Sequence, residues 1–127
     1  MTSAAATGAV RPRRVLVVED EYYLAQDLAR ALQKLGAQVV GPVPTLEAAL
    51  ALIGAEPVDA AVLDINLRGE EVYPVADALA ERGIPFVFAT GYDRSSIPAT
   101  YQDVPRWEKP FDPHELAKGL PGLGHRA

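Results

Sequence analysis

The amino-acid sequence predicts an α/β domain: a doubly wound, five-stranded parallel sheet with helices on both faces. Three observations lead there. Short β-branched runs alternate with longer segments of helical period along the 127 residues. The runs are continuously apolar rather than alternating, as strands covered on both faces are. Gly or Pro marks nearly every junction, and parallel neighbours joined this way need right-handed helical crossovers.

The elements follow in order. Val15, Leu16, Val17 and Val18 make the first strand. Leu24, Leu28, Ala31, Leu32 and Leu35 repeat at helical spacing, and Gly36 stops that helix as a C-cap glycine. Val39 and Val40 form a second strand ended by Gly41 and Pro42. Leu46, Ala49, Leu50 and Ile53 mark a second helix closed by Gly54 and Pro57. Ala60 to Leu63 is the third strand. Val72, Val75, Ala76 and Leu79 mark a third helix ending before Gly83, and Phe86 to Ala89 is the fourth strand. Beyond it the signals weaken. Ser95 to Tyr101 reads as a Ser-capped helix that Pro98 limits to a turn or two. Val104 to Glu108 is a short fifth strand, and His114 to Lys118 a last helix cut off by Gly119 and Pro121. One domain is expected over residues 13–120, between a disordered N-terminal tail, 1–12, and a C-terminal tail, 121–127.

Composition excludes several functions. Apolar residues at 49% and charged residues at 23% fit a globular domain. The absence of cysteine excludes disulfide scaffolds, thiolate metal sites and Cys nucleophiles, and suits a reducing cytoplasm. A net charge of -5 has the wrong sign for phosphate backbones or anionic lipid, so neither nucleic acid nor membrane is expected as a partner. No apolar stretch approaches the roughly 18 residues of a membrane span, and the first ten residues lack the features of a signal peptide.

Chemistry collects at the carboxyl ends of the strands, where open α/β sheets place their functional crevice. There stand Glu19, Asp20 and Glu21, then Asp64, Thr90 and Lys109. Any one of them alone reads as a helix cap. Together they do not, because three carboxylates about 5 Å apart repel by about 3 kcal/mol per pair at an effective dielectric near 20. One lysine is insufficient against three acids. A hard divalent ion fits better, since Mg²⁺ takes carboxylate, carbonyl and water oxygens and leaves room for a phosphoryl oxygen. Neither GxGxxG nor GxxxxGK[ST] occurs, which argues against a nucleotide site. Other marked residues have plainer readings. Glu21 decorates the first helix's amino end and is also a conceivable metal neighbour, His114 faces solvent, His125 lies in the tail, and Arg11, Arg13 and Arg14 are solubilising. Trp107 reads equally as core or as a partner contact.

These residues resemble the receiver domain of two-component response regulators. Glu19-Asp20, Leu63-Asp64-Ile65-Asn66, Ala89-Thr90-Gly91 and Lys109-Pro110-Phe111 stand in receiver order and spacing from Arg13 to about Lys118. Phe88-Ala89-Thr90-Gly91-Tyr92, with Asn66 to Glu70, further resembles the FAT GUY subgroup of alphaproteobacterial receivers, often implicated in general stress signalling. The resemblance implies a flavodoxin-like, CheY-like (βα)5 fold. It implies Asp64 as phosphoryl acceptor, with Mg²⁺ held by Glu19, Asp20, Asp64 and the backbone carbonyl of Asn66. Thr90 and Lys109 would bind the phosphoryl oxygens, and Lys109-Pro110 would be a cis peptide. The donor would be a phosphohistidine on a histidine kinase or histidine phosphotransfer protein, and the output would pass to a downstream protein target. The chain would be a phosphoacceptor with self-catalysed phosphotransfer and autodephosphorylation, not a turnover enzyme.

The sequence departs from the pattern at Arg106, where many receivers carry a Tyr or Phe that reports phosphorylation. Tyr92, two residues after Thr90, or movement of the loop around it, is read as taking part of that role. The short, Pro-interrupted fourth helix weakens a common output face, so a monomer or weak dimer is expected. The length leaves no room for an output domain, so a stand-alone cytoplasmic receiver is expected. Two other classes compete. A small phosphatase with an Asp nucleophile wants a second Asp two residues on, where Asn66 stands. A non-phosphorylated pseudo-receiver binding module would not need Asp64, Thr90 and Lys109 intact.

Overall fold

The structure, a computed structural model, describes residues 12–91 and 97–120. The expected tails at 1–11 and 121–127, the helix start at Ser95 and the switch candidate Tyr92 lie outside the described residues.

The chain runs β1 (Arg14–Val18), α1 (Tyr22–Lys34), β2 (Gln38–Val43), α2 (Leu46–Ala55), β3 (Ala60–Asp64), β4 (Asn66–Leu67), β5 (Glu70–Glu71), α3 (Tyr73–Glu81), β6 (Phe86–Thr90), a 3-10 turn (Ala99–Tyr101), β7 (Arg106–Glu108) and α4 (Pro113–Lys118). The main sheet has the order β2-β1-β3-β6-β7, and every neighbouring pair is parallel. The expected doubly wound sheet is therefore present. Its two faces divide β1 residue by residue, because successive side chains on a strand point to opposite sides. Val15 and Val17 pack with Leu28 and Leu32 of α1 and Leu116 of α4. Leu16 and Val18 pack with Ala49 and Ile53 of α2 and Val75 and Leu79 of α3. A central strand buried on both sides has no polar face to show, hence its unbroken apolar run.

Several expectations need correction. β2 does not end at Gly41-Pro42 but continues to Val43. Its register with β1 jumps from Leu16↔Val40 to Val18↔Val43, so Gly41 and Pro42 form a bulge on an edge strand, where a missing proline N–H costs no ladder bond. Gly41 has φ +91°, and a Cβ there would come within 2.9 Å of the Val43 nitrogen and 3.1 Å of the Val17 carbonyl oxygen. Gly54 lies inside α2 rather than closing it, and Leu50, one of the apolar positions that mark this helix, is 40% exposed. The β4–β5 hairpin was not anticipated: two residues per strand are too few to show alternation. The fifth strand is trimmed to three residues. Arg14 is no mere solubilising residue, since its guanidinium joins the Pro57 carbonyl, Gln38 and Glu56 at the sheet's opposite end. Trp107, half-buried, packs with the α1 and α4 side of the core.

Phe88 is fully buried and meets the rings of Tyr73 and Tyr101 edge-on, with centroids 6.0 Å away in both cases. Tyr101 in turn donates its hydroxyl hydrogen bond to Asp77 of α3, tying the 3-10 turn down. Phe88→Ala should cost about 3–5 kcal/mol, whereas Leu50→Ala should cost about 1 kcal/mol or less. Urea unfolding midpoints check both, and equal losses would contradict this burial.

Candidate functional site

The strand order reverses at β1 and β3, one connection leaving toward β2 and the other toward β6, so a crevice opens beyond their carboxyl ends. Each predicted residue arrives there on a strand end. Glu19 and Asp20 follow β1, Asp64 closes β3, Thr90 closes β6 beside Glu108, and Lys109 follows β7. The β2 bulge sets the first pair, because the displaced Val43 carbonyl accepts the Glu19 N–H at 3.0 Å. A hydrogen bond from the Lys109 N–H to the Thr90 carbonyl, also 3.0 Å, sets the last. The Lys109–Pro110 peptide is cis, as the receiver resemblance implies.

The result is an open cleft of about 500 Å³, lined by Asp20, Glu21, Asp64, Asn66, Arg68, Gly69, Thr90, Gly91 and Lys109. Glu19, Asp64 and Thr90 are buried. Lys109 Nζ donates to Glu19 Oε2 at 3.2 Å, Glu21 Oε1 at 3.1 Å and Asp64 Oδ2 at 3.3 Å. The Glu21 N–H caps Glu19 Oε2 at 3.0 Å, and the Asn66 N–H reaches Asp64 Oδ1 at 3.3 Å. Carboxylate oxygens of Glu19, Asp20 and Asp64 lie within 4.8 Å of one another. Glu19 Oε1 is buried without a hydrogen-bond partner among the described residues. Oxygen-only donors around an orphaned carboxylate oxygen are what Mg²⁺ requires, so these residues fit the implied metal.

Electrostatics refine the repulsion argument. Burial pushes the Asp64 carboxyl up to about 8, the Glu19 charge pushes it the same way, and Lys109 only partly opposes them. Burial works to lower the Lys109 pKa, but Asp64 and Glu19 outweigh it and hold the ammonium charged, above the ordinary lysine value. A proton on Asp64 therefore supplies, in the metal-free chain near neutrality, the positive charge that the lysine alone does not.

Two residues, Glu21 at the acidic rim and Arg68, take site roles beyond those their sequence positions suggest. Glu21 occupies the N-cap position of α1 but makes no side-chain cap hydrogen bond; its carboxylate goes to Lys109. Arg68 sits in the two-residue turn between β4 and β5, with Nε 3.8 Å from Asp20 Oδ2. Arg68 and Gly69 both have positive φ, +56° and +91°, the backbone of a tight hairpin that favours Asn-Gly. A left-handed arginine costs about 1–2 kcal/mol, more than an exposed ion pair of about 0–1 kcal/mol returns. The Arg68-Gly69 dipeptide was the available signal. His114 is exposed, as expected. Arg106, paired with Phe88 in the sheet, is half-buried, and its Nη1 has no hydrogen-bond partner among the described residues.

Because the folded chain holds the Asp64 proton from the ordinary carboxylate value, 3.8, up to about 8 and the unfolded chain does not, stability falls as pH rises through that window. Asp64→Asn should remove most of that slope. At pH 8.5 with chelator it should be more stable than the parent, by on the order of 2 kcal/mol, since each pKa unit is worth about 1.4 kcal/mol and the open cleft discounts the full difference. Thermal unfolding from pH 5 to 9 checks this, and parallel curves for both proteins would contradict it.

Comparison with known proteins agrees with this geometry. The family model described as "Response regulator receiver domain" matches residues 15–120. The solution structure of SdrG from Sphingomonas melonis Fr1 is 44% identical, with TM-score 0.75 over 86% of this chain and 93% of that one. The transcriptional regulatory protein PdtaR of Mycobacterium tuberculosis is 25% identical over 113 residues, 88% of this chain and 55% of that protein. The uncharacterized transcriptional regulatory protein YbdJ of Bacillus subtilis is 30% identical over 109 residues, 81% of this chain and 47% of that one. The chain thus spans about half the length of these curated relatives. With its sheet, its acidic cleft and a match across nearly all the described residues, the chain belongs to the response regulator receiver domain family.

Proposed function

We propose that the chain accepts a phosphoryl group on Asp64 from a phosphohistidine of a histidine kinase or phosphotransfer protein, in the cytoplasm, and signals by protein–protein contact as a monomer or weak dimer. One observation carries this reading: a buried carboxyl at the switch point, Asp64, lies 3.3 Å from a committed lysine and within 4.8 Å of two further acids. Glu19, Asp20, Asp64 and the Asn66 carbonyl would hold Mg²⁺. When bound, that ion favours the ionised form of Asp64 and neutralises charge on the phosphoryl oxygens.

Asp64 attacks phosphorus as a carboxylate. Its new P–O bond forms as the P–N bond breaks with its electron pair going to the imidazole nitrogen, which takes a proton from water. Lys109 Nζ and the Thr90 hydroxyl hold the phosphoryl oxygens in line, so most of the catalysis is positioning and charge stabilisation. The acyl phosphate is later lost to water at the same site. A role in general stress signalling is supported by the FAT GUY resemblance of Phe88 to Tyr92. A relative 46% identical, SdrG, has been solved in a BeF3-activated conformation, which suits an activatable Asp64 here.

With acetyl phosphate and Mg²⁺, the chain should take up one phosphoryl group, seen by intact mass and a phosphate-affinity gel. Asp64→Asn and chelator should each abolish uptake, and Lys109→Ala should slow it at least about tenfold. Normal labelling of Asp64→Asn would refute the assignment.

A further inference from the structure

We infer that Arg68 is a second phosphoryl-binding cation of this cleft, held in reserve on Asp20 until the site is loaded; this rests on the phosphoacceptor reading above. Among the described residues Arg68 and Lys109 are the two cations that line the cleft, and their commitments differ. Lys109 is held by three carboxylates at 3.1 to 3.3 Å. Arg68 touches one carboxylate oxygen at 3.8 Å through Nε alone, and its side chain is 70% exposed. Such a contact is easily exchanged.

The backbone around Arg68 is built rather than loose. Leu67 is buried, the Asn66 side-chain oxygen accepts the Gly69 N–H at 2.7 Å, and the Val72 N–H returns to the Ile65 carbonyl at 2.9 Å. This short hairpin holds Arg68 at φ +56°, a conformation its side chain disfavours. The ion pair it gains is too exposed to repay that strain, which points to a role other than stability. The chemistry suits an anion. A guanidinium offers forked donors to two oxygens of a phosphoryl group, which an ammonium does not. A phosphoryl dianion entering a cleft lined by Asp20, Glu21 and Asp64 also needs more positive charge than Lys109 provides. Once Asp20 is committed to the metal, Arg68 loses its partner and turns to the phosphoryl oxygens.

The two states make opposite demands on one side chain. In the empty cleft Arg68 competes for Asp20; in the loaded cleft it binds the donor's phosphoryl group. With acetyl phosphate as probe, Asp64 forms the new P–O bond while the bond from phosphorus to the acetyl oxygen breaks, its electron pair leaving on acetate. Arg68→Gly relieves the left-handed strain and removes the charge; Arg68→Asn also tolerates that conformation and serves as the second variant. Calorimetric titration with Mg²⁺ alone should show both variants binding about two- to fivefold tighter than the parent, the worth of one exposed ion pair. At saturating Mg²⁺ and limiting acetyl phosphate, both should label about tenfold more slowly, the worth of one hydrogen bond to a charged group. Unchanged or weaker Mg²⁺ binding, or labelling at the parental rate, would overturn the proposal while leaving the acceptor reading intact. A parent chain that binds Mg²⁺ yet takes up no phosphoryl group would overturn both.

Discussion

The structure turns on one cation. Lys109 places its ammonium against Glu19, Glu21 and Asp64, which arrive from two different strand ends, and without it the rim of the sheet would be an assembly of mutually repelling carboxylates. Much of the local architecture serves that meeting. The parallel register β1–β3–β6–β7 brings the four strand ends to one rim, and the bulge of β2 fastens the Glu19 backbone through Val43. The Thr90 carbonyl fastens the backbone of Lys109 itself.

That arrangement is poised rather than satisfied. Glu19 Oε1 is buried without a partner among the described residues, and Asp64 keeps its proton to about pH 8 because burial and the Glu19 charge outweigh the lysine. A site built for stability alone would remove such costs. Under-satisfied and perturbed groups of this kind gather at functional sites rather than at positions selected for stability. The strained Arg68 belongs to the same pattern: its backbone conformation is unfavourable, and its one ion pair is weak.

The legible part of the molecule was the part with strong periodicity. β1, β3 and β6 were readable as unbroken apolar runs because both faces of each are covered, and α1 because its apolar positions recur at helical spacing over thirteen residues. Legibility failed where elements were short or where glycine had a second use. Gly41 and Gly54 read as terminators, yet one bends an edge strand and the other lies within a helix. The β4–β5 hairpin has no period to detect, so Arg68, which enters the sequence reading only within the segment Asn66 to Glu70, is not legible there as a residue of the cleft.

The amino-acid sequence by itself determined the sheet, its winding, and that Glu19, Asp20, Asp64, Thr90 and Lys109 share one rim. Alternation of strand and helix, together with the right-handed crossover, leaves little choice about which ends meet. What only the tertiary structure decided was how those charges are divided: that Lys109 is shared by three acids including Glu21, that burial and the Glu19 charge raise the Asp64 carboxyl's hold on a proton, and that Arg68 leans on Asp20. Such outcomes depend on ångström distances and on burial, which residue order does not encode. The strength of a charge interaction falls with both separation and solvent access, so the division of charge is settled only once the chain has packed.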